Sequence, residues 1–346
     1  MKKIHLLIIV AFGLFTVGCE TDVELNDTYQ NNSYVFGLLD QNADTQFVRV
    51  NRAFLGSISA DEMAKYSDSI NYKSGDIKVE IIDENNTILL NPIVKSKADG
   101  YFNNSDHIVY YTTTPIVFTS GSKLFGLKVS NNRTGEIIRG ETELIENVFL
   151  QEPNPSFDVT FIRNCPTERY CFGFNFGIEW ISSANAVKYE VVLRFVYNEL
   201  DIRTNDTTYG KYYDYFAGSV SNNLATSNLK LKTTVSPELF YTQLGESIPT
   251  LSDNIVRFKP RVEVLITAAH EDLSLYIDAT KPANDVNQNK SSYSNLSNGI
   301  GIFSSRISRN AVRDNSDNSK QLPFNSQSIQ KLIESDLTKH LNFRPN

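Results

Sequence analysis

Lys188-Tyr189-Glu190-Val191-Val192-Leu193-Arg194-Phe195-Val196-Tyr197 is the stretch whose reading decides the fold class. Tyr189, Val191, Leu193, Phe195 and Tyr197 alternate with Lys188, Glu190 and Arg194, a period of two. Side chains of a β-strand point alternately to opposite faces, so this pattern buries one face and wets the other. A helix of the same length would need its apolar residues three and four apart.

The same period recurs outward from this stretch. Downstream, Val262, Val264 and Ile266 repeat it; upstream, Phe157, Val159 and Phe161 precede an aromatic run from Phe172 to Ile181. Trp180, nine residues before Tyr189, resembles the core pattern of fibronectin type III sandwiches. In the first half, Phe47, Val48 and Val50 form one short segment, and Ile77, Val79 and Ile81 form another that ends at Asn85-Asn86. Phe125, Leu127 and Val129 lead into Asn131-Asn132-Arg133-Thr134-Gly135 and then Ile137. Gly135 supplies the positive φ a tight hairpin needs.

Helices are few. Ser59-Ala60-Asp61-Glu62 has capping-box spacing. Ser236-Pro237 reads as cap and first turn of a helix that Gly245 ends, and Glu271 to Thr280 reads as another. Ser326 is expected to cap a last helix with Ile329, Leu332, Ile333, Leu337 and Leu341 as its apolar stripe, either docked on the chain itself or binding a partner. The expected fold class is mainly β. An immunoglobulin-like β-sandwich is expected over 34–152 and a second β-rich domain, fibronectin III-like with short helices, over 156–305. An irregular tail with one amphipathic helix follows over 306–346. Pro153 and Pro155, flanking Asn154, mark the boundary because they deny donors to any central strand.

The N-terminus carries an export signal. Lys2 and Lys3 precede an almost wholly apolar run from Ile4 to Phe15, then Thr16-Val17-Gly18-Cys19. The run is shorter than the roughly 20 apolar residues of a spanning helix and has the layout of a signal peptide over 1–18. The cysteine at its end is similar to the lipobox of bacterial lipoproteins, although Thr16 stands where Leu is usual. That similarity implies diacylation of Cys19 and a mature chain beginning there, with 19–33 as a flexible tether. Loss of Lys2 and Lys3 leaves 31 basic residues against 40 acidic ones. So acidic a balance argues against sequence-independent nucleic-acid binding, which needs clustered Lys and Arg to neutralise phosphates.

Cys165 and Cys171 bracket five residues. Outside the cytoplasm such a pair is expected to form a local disulfide bond. The rival is a metal site, but two thiolates with no His nearby fall short of zinc's four ligands. His107, His270 and His340 stand in no paired ligand spacing, and no Gly-x-Ser-x-Gly elbow occurs. Gly299-Ile300-Gly301-Ile302-Phe303 lacks the Lys and helix start of a phosphate loop and reads as strand backbone. Paired carboxylates for glycosidase work stay open, because their separation is spatial. Tyr209, Tyr212, Tyr213 and Tyr215 around Asp214 read as a tyrosine-bearing strand, or as a sugar-stacking surface. Asp68-Ser69-Ile70 and Asp206-Thr207-Thr208 resemble a three-residue O-glycosylation signal used outside the cytoplasm, with Ser69 and Thr207 as acceptors. No catalytic residue, cofactor or metal is expected.

The lipobox-like stretch, the Leu124-to-Ile138 hairpin around Thr134-Gly135, and Tyr293-Ser294-Asn295-Leu296-Ser297-Asn298-Gly299-Ile300-Gly301-Ile302-Phe303 together resemble a Bacteroidota lipoprotein family defined only as a domain of unknown function. The similarity covers most of 20–305. Members are often encoded beside TonB-dependent outer-membrane transporters. The resemblance implies a lipid-anchored outer-membrane protein, periplasmic or surface-facing, that acts as a non-catalytic binding or accessory module for such a transporter. The alternatives are a structural adhesin or scaffold of the envelope, and an envelope hydrolase.

Overall fold

The computed structural model describes residues 32–52, 66, 70–73, 75–84, 86–96, 107–118, 124–154, 156–164, 171–223, 225–281, 293–310 and 321–345. The protein is mainly β, as its alternating segments require. The first half contributes β1 (Ser33–Leu39), β2 (Gln46–Arg52), β3 (Ile77–Asp83), β4 (Asn86–Lys95), β5 (His107–Thr112), β6 (Leu124–Asn131) and β7 (Ile137–Glu143). The short β8 (Phe149–Glu152), β9 (Ile162–Arg163) and β10 (Cys171–Phe172) follow, then β11 (Phe176–Ile181), β12 (Lys188–Asp201), β13 (Asp206–Ser221) and β14 (Lys230–Val235). Helix α1 (Pro237–Ser247), β15 (Ile255–Ala269), α2 (Glu271–Thr280), β16 (Ile300–Asn310), β17 (Leu322–Pro323), α3 (Ser326–Glu334) and a 3-10 turn at Lys339–Leu341 complete the order. Among these residues no helix is long and apolar enough to cross a membrane. The capping-box segment at Ser59–Glu62 lies outside the described residues.

One mixed sheet runs through both halves in the order β13-β12-β15-β16-β1-β2-β5-β4-β3-β6-β7. The stretch at 188–197 sits in β12, paired antiparallel with β13 on one side and β15 on the other. Its alternation is satisfied literally: Tyr189, Val191, Leu193 and Phe195 are all fully buried. They face a core in which Trp180 lies 5.7 Å from Tyr189. There Phe161 meets Phe176, Phe240 and Phe324 edge-on at 5.1–5.4 Å. Edge-on rings gain about 0.5–1.5 kcal/mol beyond their buried area. Phe161→Ala should therefore cost on the order of 3–5 kcal/mol.

The first half has its own core, in which Val35, Val48 and Val50 of β1 and β2 join Val79, Ile81, Leu127, Val129 and Ile138 of β3, β6 and β7. Strand β4 joins the two faces: it pairs with β3 through Leu90 and with β5 from Asn91 onward. The hairpin at Asn131–Ile137 forms as its sequence requires, with Gly135 at φ +78°. The change of core falls between Leu144, in the first cluster, and Ile145, in the second, ahead of Pro153. Strand β8 already belongs to the second half, pairing with β11.

Strand β16 belongs to both halves. Its first part, Ile300–Ser305, lies parallel to Tyr34–Leu39 of β1, while Arg306–Asn310 runs antiparallel to Ala269–Leu265 of β15. The side chain of Phe303 is fully buried in the first core. The first half is thus completed by a strand from near the other end of the chain, which a division at residue 156 does not capture.

The segment expected to be an irregular tail is more ordered than its composition suggests. Residues 306–310 extend β16, and Leu322, Phe324, Leu332, Leu341 and Phe343 enter the second core. The cap of α3 is Asn325 rather than Ser326, because the extended Asn325 accepts from the Ser328 amide at 2.9 Å. Leu337 and Leu341 lie beyond this helix, which stops at Glu334. Likewise Gly245 does not end α1, which runs to Ser247. Glycine is needed there for a different reason: a Cβ at 245 would lie 2.0 Å from the Leu337 carbonyl oxygen.

Candidate functional site

Strand β13 is an edge of the large sheet, and its alternation sorts the four tyrosines. Tyr215 packs inward 5.3 Å from Phe240, and Tyr213 lies half-buried against the same core. Tyr209, Tyr212 and Phe216 are 74, 57 and 60% exposed. Unbroken pairing from Val192–Phe216 to Val196–Tyr212 puts Tyr213 and Tyr215 on one face and Tyr212 on the other; a bulge follows, where Val191 pairs with Gly218 and Ala217 is an extra residue. Gly218 takes φ +143° at the bulge, where a side chain would meet Thr233.

The outward residues form rows across β13, β12 and β15. Phe216 is level with Val192 and Leu265, Asp214 with Arg194 and Glu263, and Tyr212 with Val196 and Arg261. Arg194 donates to both Asp214 oxygens, at 2.7 and 2.9 Å. Its guanidinium carbon lies 4.1 Å from the centre of the Tyr212 ring. The hydrogen bonds to Asp214 hold the Arg194 proton more firmly than usual. Beside this pair, Gln321 donates to Glu263 at 2.5 Å. The surface therefore offers two exposed aromatic rings on either side of a planar, charge-neutralised pair fixed by its own hydrogen bonds. Aromatic rings and guanidinium groups held in this way gain contact area at little entropic cost when a partner arrives.

A second feature is a cleft of about 330 Å³ where β8 meets β11, lined by Glu152, Asp158, Phe176 and Glu179. Glu152 and Glu179 are direct cross-strand neighbours and so form a candidate carboxylate pair. Hydrogen bonds from Lys230 and then Lys232 hold the Glu179 carboxyl below the usual range. A general acid of a glycosidase needs the opposite shift.

The other expected positions disperse. His107 lies buried in β5, His270 caps α2 by accepting from the Asp272 amide, and His340 contacts the Gly245 carbonyl from the 3-10 turn. Among the described residues no group of three or more metal-ligating side chains forms. Thr207 sits half-exposed in β13 opposite Leu200. Cys171 begins β10, paired with Arg163. Cys19, Ser69 and Cys165 lie outside the described residues.

The Tyr293–Phe303 block is a clasp. Asn295 acts as a one-residue strand, donating to the Phe303 carbonyl at 2.7 Å and accepting its amide at 3.0 Å. Leu296 lies over Gly140, where a Cβ would approach it to 2.6 Å, and Ser297 bridges to Arg139. Gly301 passes so close to the Val35 carbonyl that only glycine fits. The Gly-x-Gly spacing is thus strand backbone.

Sequence reasoning took the tyrosines as one cluster and missed their split into two faces, which the unbroken pairing of 212–216 with β12 sets. It also missed that β1, β2, β4 and β5 carry Arg49, Arg52 and Lys95 but no Asp or Glu. That imbalance is visible in the sequence once the strands are known. No protein-family model matches the chain, and no curated protein matches it.

Proposed function

We propose that this protein is a lipid-anchored, non-catalytic binding module of the bacterial outer membrane, accessory to a TonB-dependent transporter. The observation that carries the binding role is the Tyr212–Arg194–Asp214 stack with Phe216 beside it, outward on the edge strand β13 and its neighbour β12. Tyr and Arg are the residue types that most often dominate interface energetics, particularly when rigid before contact. The anchor rests on the charged, apolar and small-residue segments ending at Cys19. The transporter as partner rests on the resemblance carried by the hairpin and the Tyr293–Phe303 block.

A photo-crosslinking amino acid at Tyr212, introduced in intact cells, tests this reading. A control is placed at Leu239, which is exposed on α1. Capture of one outer-membrane transporter from position 212 and not from 239 is the expected result. Equal capture at both sites, or none, sinks the assignment.

A further inference from the structure

We infer that the open edge of β13 pairs with the same edge of a second copy of this chain, joining two molecules about a two-fold axis at Asp214. This contact uses the backbone edge of the strand, lies beyond the proposed function and requires neither the anchor nor the transporter.

An open sheet has two edges, and each presents a row of backbone donors and acceptors to any further strand. In the large sheet these edges are β7 and β13. The β7 edge is closed. Ser297 exchanges backbone hydrogen bonds with Arg139, the Asn298 side-chain amide donates to the Ile137 carbonyl at 3.2 Å, and the Ser305 hydroxyl donates to the Glu143 carbonyl. On β13 the closure begins at Ala217, where the Thr233 hydroxyl of β14 donates to the Ala217 carbonyl at 2.9 Å. Before it, residues 211–216 pair with β12, and among the described residues no other strand or loop forms a backbone hydrogen bond with them. Neither a proline nor a bulge interrupts this segment, so the usual protections of an edge are missing.

The open segment is self-complementary. Tyr212-Tyr213-Asp214-Tyr215-Phe216 reads aromatic, Tyr, Asp, Tyr, aromatic in either direction. An isologous contact matches a patch with itself, and antiparallel pairing centred on Asp214 does so here. It sets Tyr212 opposite the partner's Phe216 and Tyr213 opposite the partner's Tyr215. Opposed residues share a face of the sheet, and aromatic pairs are among the stabilising cross-strand contacts. Moving the centre to Tyr213 would set Tyr212 opposite Asp214 and Phe216 opposite Gly210, so the outer aromatic pairs select the Asp214 register. Like charges directly opposite are unfavourable, and Asp214 meets its own copy at the axis. Each carboxylate is already held through both oxygens by its own Arg194, at 2.7 and 2.9 Å, which removes that objection.

The strand's irregularities bound the contact. One bulge falls at Ala217 and another at Tyr209-Gly210, where Gly210 takes φ +69°. Bulges bend a strand, so the chain turns on both sides of the palindrome and leaves its regular part to pair. Helix α1 supports that part from the inner face: the Phe240 ring lies 5.3 Å from Tyr215, and Gln243 accepts from the Tyr213 hydroxyl. Pairing through the edge leaves the outer face open. Two copies would therefore set their Tyr212, Arg194, Asp214 and Phe216 side by side in one doubled surface.

The test uses the purified full chain with cysteines added singly or in pairs, oxidised by copper phenanthroline and resolved on non-reducing gels. The unmodified chain, with its own cysteines, sets the background. Asp214→Cys should give a covalent dimer, because residues opposed across antiparallel strands come within disulfide reach. Tyr212→Cys and Phe216→Cys should each stay monomeric when made alone. Made together they keep the Asp214–Arg194 pair and should crosslink, so a folding defect in Asp214→Cys is told apart from a wrong register. Sedimentation of the unmodified chain should show a dimer. Any of three results overturns the inference: an unmodified chain that stays monomeric, no crosslink in either Asp214→Cys or the double variant, or equal crosslinking at 212, 214 and 216 singly, as random collision gives. A strand of a different protein on this edge would give the second of these.

Discussion

Arg257 donates through Nε to Glu199 Oε1 at 3.0 Å while only 1% of its side chain is exposed. Its other nitrogens reach the carbonyls of Leu341 and Pro249, each at 2.8 Å. Backbone bonds run in register beside it, from the Arg257 amide to Asn342 and from the Arg344 amide back to Arg257. One buried cation on β15 thus satisfies the last turn of the chain and is neutralised from β12.

Removing the carboxylate should expose how much depends on this arrangement. Breaking one partner of a buried pair leaves an uncompensated charge, with a cost of about 3–5 kcal/mol. Glu199→Ala should lower the urea midpoint accordingly. The same substitution made in an Arg257→Met background should cost much less. A single-variant loss below about 1 kcal/mol, in the range of exposed pairs, would show that the pair is not the clamp.

The C-terminal segment should be indispensable to folding. Leu322, Phe324, Leu332, Leu341 and Phe343 line the second core, and Ser328 accepts the Phe161 amide through its hydroxyl and the Tyr241 hydroxyl through its carbonyl. Deletion of residues 321–346 should abolish cooperative unfolding of the second half, followed by near-ultraviolet circular dichroism. A truncated chain that melts like the intact one would show instead that the stripe of α3 is dispensable, as a partner-binding helix would be. The point substitution Leu332→Ala should cost about 2–5 kcal/mol without loss of the fold.

Acid should weaken the first half through Glu80. Its carboxyl is held below the usual range chiefly by the Lys78 hydrogen bond at 2.6 Å, with Lys128 assisting at 3.4 Å. A carboxylate whose pKa is lower folded than unfolded contributes stability above the unfolded pKa of about 4.3, lost as pH falls through the folded value. Wild type should therefore exceed Glu80→Gln in stability at neutral pH, and the gap should close in acid. Urea titrations of both proteins across pH 7 to about 3 measure it; a gap independent of pH would refute the assignment.

Cys165 and Cys171 are proposed to form a disulfide that ties the start of β10 to a residue six positions earlier. The closed loop is short, so the gain should be on the order of 2–3 kcal/mol. Non-reducing peptide mass spectrometry of the exported protein should find the two cysteines joined. Free thiols at both positions, in protein that never met reductant, would end this proposal.

Much of the architecture is local and was therefore legible. The two-residue period at Lys188–Tyr197, the Gly135 turn, the Ser236-Pro237 start of α1 and the span of α2 are set by side-chain direction, φ preference and capping within a few residues. The candidate surface was half legible. The tyrosine cluster around Asp214 stood out, but which alternate rings faced the core depended on the pairing of β13 with β12.

By itself, then, the sequence determined that the chain is mainly β, where its clearest strands and helices lie, and which face of the most regularly alternating strands is buried. Only the tertiary structure decided what those faces are buried against. It placed Ile300–Ser305 beside β1, turned the supposed tail into core and set Arg257 where no water reaches. The physical reason is that alternation encodes burial but not partner. A strand's hydrogen-bonding neighbour is chosen by packing among segments hundreds of residues apart, and no local preference records that choice.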